Sequence, residues 1–187
     1  MKNRKAFTLI ELMAVIIILG ILLTIAVPNT LSMLDRNKKN AFVEDAKKFA
    51  ALSNSLVQKD KKIERPNDDT SATLITLDYL NTTQIEKSPY AVNYIPEKSF
   101  VVIARQGGRY LYYVNLIACD DANCASGNVY GINVALESDL ALDNARNLVR
   151  KGDVVTDYID YNAQIGNYEA ASHLKSRIGN RTINHLY

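Results

Sequence analysis

The segment Phe7-Thr8-Leu9-Ile10-Glu11-Leu12-Met13-Ala14-Val15-Ile16-Ile17-Ile18-Leu19-Gly20-Ile21-Leu22-Leu23-Thr24-Ile25-Ala26-Val27 carries a single charged side chain, Glu11, in an otherwise almost wholly aliphatic run. At about 1.5 Å per residue, a helix of this length spans roughly 30 Å, the thickness of a bilayer's hydrocarbon core. Such a stretch needs lipid or other apolar helices to cover it. The apolar core of a secretory signal is shorter, and Thr24-Ile25-Ala26 ahead of Pro28 is a weak small-residue cleavage site, so a retained helix is favoured over a removed signal. Glu11 is the costly member. A carboxylate at membrane depth marks a function and calls for a partner of opposite charge.

The rest of the chain holds nearly all the charge. With 187 residues, 48% hydrophobic and 22% charged, the length allows one ordinary domain with appendages, and the composition excludes a disordered or collagen-like chain. The 22 basic and 20 acidic side chains give a net charge of +2, and removing Lys2, Arg4 and Lys5 leaves 19 against 20. No single sign dominates, so DNA binding is possible but not indicated. Arg36, Lys38, Lys39, Lys47 and Lys48 interleave with Asp35, Glu44 and Asp45, the pattern of a solvated helix face.

Beyond Pro28 the apolar positions Leu31, Leu34, Ala41/Phe42, Ala46, Phe49, Leu52 and Leu56 recur every three or four residues. They predict that the helix continues as an amphipathic one, so that residues 7–59 would run on the order of 80 Å. Gly20 and Pro28 are its weak points, since Pro28 has no N–H to donate to Thr24 and glycine disfavours helix interiors. Lys59 to Asp69 reads as a linker, and Thr70 to Leu80 predicts a short helix. Residues 90–95, 99–105, 109–118 and 129–136 are rich in Val, Ile, Tyr and Phe, with a hairpin turn at Gln106-Gly107-Gly108, and predict an antiparallel sheet. Tyr110, Tyr112, Val114 and Leu116 alternate onto one face, with Leu111, Tyr113 and Ile117 on the other. After Glu137 the pattern turns helical: Ser138 caps a segment in which Leu140, Ala141, Ala145, Leu148 and Val149 share a face and Gly152 ends it, and a second helix is expected over 168–178. Asp153, Asp157 and Asp160 would then line a solvated face. The expected class is α+β: a long N-terminal helix over 7–59, transmembrane over 7–27, packed on an antiparallel sheet (90–136) of a head spanning 60–187, with a helical C-terminal part over 138–187.

Chemistry is sparse in this head. Cys119 and Cys124 are separated by four residues and favour a short-loop disulfide if the head lies outside the cytoplasm. A metal site needs two further ligands, and neither His173 nor His185 has the spacing to supply them. Asp120, Asp121 and Asn123 lack the other ligands and the glycine of a calcium loop. No phosphate-binding loop, HExxH or GxSxG is present, so no catalytic residue, metal or cofactor is predicted and the chain is not read as an enzyme.

The leader Lys2-Asn3-Arg4-Lys5-Ala6 followed by Phe7-Thr8-Leu9-Ile10-Glu11 and the apolar run resembles the class III signal of type IV pilins and related pseudopilins. Ala6 stands where that family most often has Gly, and Ala occurs there in some Gram-positive-type relatives. The resemblance implies that a prepilin peptidase/methyltransferase removes residues 1–6 by cutting between Ala6 and Phe7, then N-methylates the Phe7 amine. It implies that Glu11 pairs with the Phe7 amine of an adjacent subunit, so that cleavage licenses assembly, and that the stretch between Gly20 and Pro28 loses helicity in the filament. The flanking basic residues, Lys2, Arg4 and Lys5 against Arg36, Lys38 and Lys39, nearly balance. The leader therefore sets the topology, with the N-terminus cytoplasmic and the chain after Val27 outside. The implied protein is a single-pass membrane precursor that becomes a structural subunit of an extracellular type IV pilus serving adhesion, surface motility or biofilm formation. Its implied partners are identical or related pilin subunits, the peptidase, the pilus assembly machinery and, before assembly, the cytoplasmic membrane. The competing readings are a competence or secretion pseudopilin moving DNA or protein across the envelope, and a membrane-anchored extracellular enzyme.

Overall fold

The computed structural model describes residues 7–82, 84–85, 87–162, 164 and 167–187; the expected leader 1–6, Ala6 included, lies outside them. The chain divides into two compact units, the first ending at Asn37 and the second running Lys38–Tyr187. One helix, α1 (Leu9–Lys59), contributes to both.

In the first unit every described residue is exposed, including all the large aliphatic side chains from Leu9 to Leu34. α1 is the described helix long and apolar enough to cross a membrane. It passes through Gly20 and Pro28 without a break. Its few polar side chains turn back onto their own backbone. Thr24 Oγ1 donates to the Ile21 carbonyl at 2.6 Å, Asn29 Nδ2 to Ile25 at 3.2 Å, Thr30 Oγ1 to Ala26 at 3.0 Å and Ser32 Oγ to Asn29 at 3.0 Å. Those bonds satisfy polar groups that lipid would leave unpaired, around the proline that removes a helical donor.

The second unit is layered. Phe42, Val43, Ala46, Phe49, Ala50, Ser53 and Val57 form the buried stripe of the later part of α1, at the three- and four-residue spacing of one helical face. The strands are β1 (Ser71–Thr76), β2 (Asn93–Tyr94), β3 (Phe100–Gln106), β4 (Arg109–Cys119), β5 (Val129–Leu136), β6 (Val149–Lys151), β7 (Ile159–Asn162), β8 (Asn167–Ala170) and β9 (Thr182–Leu186). The main sheet has the order β6-β5-β4-β3-β1-β9, β2 adds to β4, and β7 pairs with β8 as a separate hairpin. Val101, Ile103, Val114, Leu116 and Ile132 join the α1 stripe in one core, whereas Leu74, Phe100, Val102 and Ala104 join Tyr158, Ile159, Leu174 and Ile178 in a second. Both faces of β1 and β3 are therefore buried, which is why neither shows the alternation of a half-exposed strand.

Two hydrogen bonds fasten the helix stripe to the sheet side. Tyr94 donates to Asp45 Oδ2 at 2.9 Å, and Tyr112 donates to Asn54 Oδ1 at 2.7 Å. Burial first, and the Asp45 carboxylate second, push the Tyr94 phenol far above its ordinary range, so it remains a donor at any physiological pH.

Three expectations are corrected. The sheet is mixed, because β9 runs parallel to β1 while the other pairs are antiparallel. The chain passes through the layer holding β7, β8 and the short helix α4 (Leu174–Arg177) before it returns beside β1, and that crossover permits a parallel pair. Residues 138–187 do not form a helical region. Among the described residues this stretch holds two four-residue helices, α3 (Glu137–Leu140) and α4, a four-residue 3-10 turn at Ala145–Leu148, and strands. Leu140, Ala145 and Val149 are all buried but in successive turns onto the sheet, not along one helix; Ser138 lies inside α3 and caps nothing, and Gly152 sits at φ +75° in the turn after β6. Tyr168 and its neighbours pair as β8, and Asp160 lies in β7, so the acidic helix face does not exist. Finally, Ser71–Thr76 is a central strand whose six residues are all buried, and only Leu77–Leu80 (α2) is helical, capped by Thr76 Oγ1 accepting from the Tyr79 N–H at 3.2 Å.

A β-bulge interrupts the β4–β5 ladder: Val114 faces Ala135 and Leu116 faces Ile132, leaving Asn133 and Val134 opposite Asn115 alone. Val134 stands at φ +38°, a region a β-branched residue rarely enters. Fully buried Asn115 secures it, accepting from the Val134 N–H at 3.3 Å and donating to the Lys98 carbonyl at 3.0 Å. Asn115→Ala should lower stability by about 2 kcal/mol, the cost of leaving two buried backbone groups unpaired, read as a drop in the thermal midpoint of the detergent-solubilised chain; an unchanged midpoint contradicts this role.

Candidate functional site

Phe7, 84% exposed, lies two residues ahead of the start of α1. Thr8 is the residue before the first helical one. Its N–H and its hydroxyl both donate to Glu11 Oε2 at 2.8 Å, and the Glu11 N–H points back to Thr8 Oγ1 at 3.3 Å. This reciprocal pair is a capping box: each side chain satisfies a backbone donor that the first helical turn leaves open. The carboxylate also sits where the helix dipole is positive. Thr8 is not among the residues expected above, although Thr-x-x-Glu ahead of an apolar run is itself the sequence signal for such a box. Both bonds from Thr8 go to one carboxylate oxygen; among the described residues Oε1 takes none.

The helix that this cap opens has no charged side chain from Leu12 to Leu34. Glu11 is thus the single ionisable group on a long exposed apolar surface, within a turn of Phe7. A Cβ added at Gly20 meets nothing within 4 Å, so inside the single chain nothing demands glycine there.

In the head, Cys119 and Cys124 form the disulfide that their spacing suggested, with Cα atoms 5.3 Å apart. The loop it closes is organised by Asp121, whose carboxylate accepts from the backbone N–H groups of Asn123 at 2.9 Å, Ala125 at 3.2 Å and Ser126 at 3.0 Å. Asp120 accepts from Asn128 Nδ2 at 2.7 Å. These acceptors bind the protein's own donors. His173 lies 3.5 Å from Asp157 and His185 lies 3.3 Å from Glu64, each at the surface and apart from the cysteines. Among the described residues no three His, Cys, Asp or Glu side chains converge as a metal site would require.

The N–H of Ala125 foremost, and those of Ser126 and Asn123, hold the Asp121 carboxyl below its ordinary range. A depressed carboxylate contributes stability above its unfolded pKa, about 3.9, and loses it as pH falls through the folded value. Amide protection at Asn123, Ala125 and Ser126 should therefore fall only below about pH 4, while in Asp121→Asn it should be low and flat with pH. Equal pH profiles for the two proteins would show that the carboxylate does not order this loop.

Residues 1–27, a stretch that contains Ala6, Phe7, Glu11 and Gly20, match the family described as the prokaryotic N-terminal methylation motif. Comparison with curated proteins and with solved structures finds no match. That motif opens a helix of 51 residues, apolar over its first part and followed by a mixed-sheet head of the α+β class, and it supports a type IV pilin-like, prepilin-type protein.

Proposed function

We propose that the chain is a structural subunit of a type IV pilus: cut between Ala6 and Phe7, N-methylated at Phe7, and polymerised through α1 into an extracellular filament. The observation that carries this reading is the exposed apolar surface of α1 with its lone carboxylate beside Phe7. Lipid covers such a surface before assembly, and the same surface of neighbouring subunits covers it afterwards. Cleavage creates a cation at Phe7. In the filament the Phe7 ammonium of one subunit meets Glu11 of the next, and the cost of burying each charge is offset only in the register that brings them together. Glu11 then has two tasks, holding its own helix cap through Oε2 and offering Oε1 to the neighbour.

Gly20 and Pro28 bracket the part of α1 that gives up helical bonds when subunits pack. A disulfide-closed loop in the head fits a location outside the cytoplasm. The pilus is preferred to a pseudopilus because the second unit, Lys38–Tyr187, is large, with a second sheet layered over its core. In this reading the protein acts by assembly and is not an enzyme. Its partners are copies of itself or related subunits, the prepilin peptidase/methyltransferase, the assembly machinery, and the cytoplasmic membrane before assembly.

Glu11→Gln separates the two tasks, because a glutamine oxygen still accepts the Thr8 bonds but carries no charge. Both Glu11→Gln and Glu11→Ala should insert in the membrane normally and yield few or no filaments in a shearing assay. Wild-type filament yield from Glu11→Gln would reduce Glu11 to a helix cap and remove the charge pair from the account.

A further inference from the structure

A cavity of about 240 Å³ opens in the head between β5, β6 and residues 153–155, with Arg177 of α4 on its rim. Leu148 and Val155 give it apolar walls, and Arg150, Arg177, Asp153 and Asn133 supply its polar groups. The β5 bulge builds it. The extra residue there turns Asn133 outward, where its Oδ1 accepts from the Val155 N–H at 3.2 Å and ties the 153–155 segment across the opening. Burial raises the Tyr158 phenol above its ordinary range, and the charge of Arg177 and a side-chain hydrogen bond to it work against that rise. Among the described residues neither Arg150 nor Arg177 has an ion-pair partner.

The polar set selects a ligand class. Two guanidinium groups present planar forks of donors suited to a carboxylate. Asp153 in the same cavity repels a second negative charge and accepts hydrogen bonds, so it favours a ligand that brings hydroxyl donors along with a single anionic group. Phosphate or sulfate leaves Asp153 facing an anion with few or no donors to offer it. Leu148 and Val155 suit the C–H face of a sugar ring. We propose that this cavity binds an acidic sugar unit, a uronate, through Arg150 and Arg177, with Asp153 holding ring hydroxyls. The inference does not rest on filament assembly, since every residue lining the cavity belongs to the unit Lys38–Tyr187.

The test titrates the full-length chain in detergent micelles with a glucuronate-containing tetrasaccharide, its neutral glucose counterpart and inorganic phosphate, using calorimetry. Saturable binding of the acidic oligosaccharide alone is expected, weakened about tenfold or more by either Arg150→Gln or Arg177→Gln. Asp153→Asn should weaken the sugar and admit phosphate. Because all three side chains are exposed, unchanged thermal midpoints should show that the variants remain folded. No saturable binding of the uronate, equal binding of the neutral sugar or of phosphate, or affinity indifferent to both arginine substitutions would overturn the proposal.

Discussion

A helical surface whose large aliphatic side chains, from Leu9 to Leu34, find no cover in their own chain has two stable surroundings, a bilayer or other helices of the same kind. Everything else about this protein is arranged around that constraint. Thr24, Asn29, Thr30 and Ser32 bond their own backbone, which reduces the polar demand of the helix on lipid near Pro28. Thr8 and Glu11 close the first turn on each other. Glu11 is the one charged group on this surface, and it retains a demand for a partner of opposite charge.

The head solves a different problem. From Phe42 onward α1 supplies one layer, and the segment from Tyr158 to Ile178 supplies another, so the central strands are covered on both faces. Two internal constraints define the head's surface. The Cys119–Cys124 bridge and the Asp121 carboxylate fix one loop, and buried Asn115 holds the strained Val134 bulge that shapes the cavity beside β6. Strain of that kind persists only where the surroundings over-determine it.

How much of this is legible in the sequence follows from how each element is stabilised. The long helix was legible because its signals are local: a continuous apolar run, then an apolar stripe at helical spacing that ends at Lys59. β3, β4 and β5 were legible because β-branched and aromatic residues flank an obvious Gly107-Gly108 turn. β1 was not, since Ser71–Thr76 is buried on both faces and lacks the alternation that distinguishes a strand from a short buried helix. The C-terminal layer was least legible. Its strands and helices are three to five residues long, and Leu140, Ala145 and Val149 happen to fall at helical intervals while packing through turns; β9 takes its identity from its partner β1, not from its own half-exposed residues. At the candidate site, Phe7 and Glu11 were readable from the leader and the lone charge, whereas the internal cap at Thr8 required attention to the three-residue spacing rather than to the charge.

In the function proposed here, the apolar helix of the working protein begins at a new amine on Phe7. Mass spectrometry of the N-terminal peptide from protein sheared off the cell surface tests it directly. A peptide that starts at N-methylated Phe7 is the expected result. A peptide still carrying Met1 to Ala6, or one that starts beyond Ala26, would contradict it and leave the head as an anchored or exported domain without a filament role.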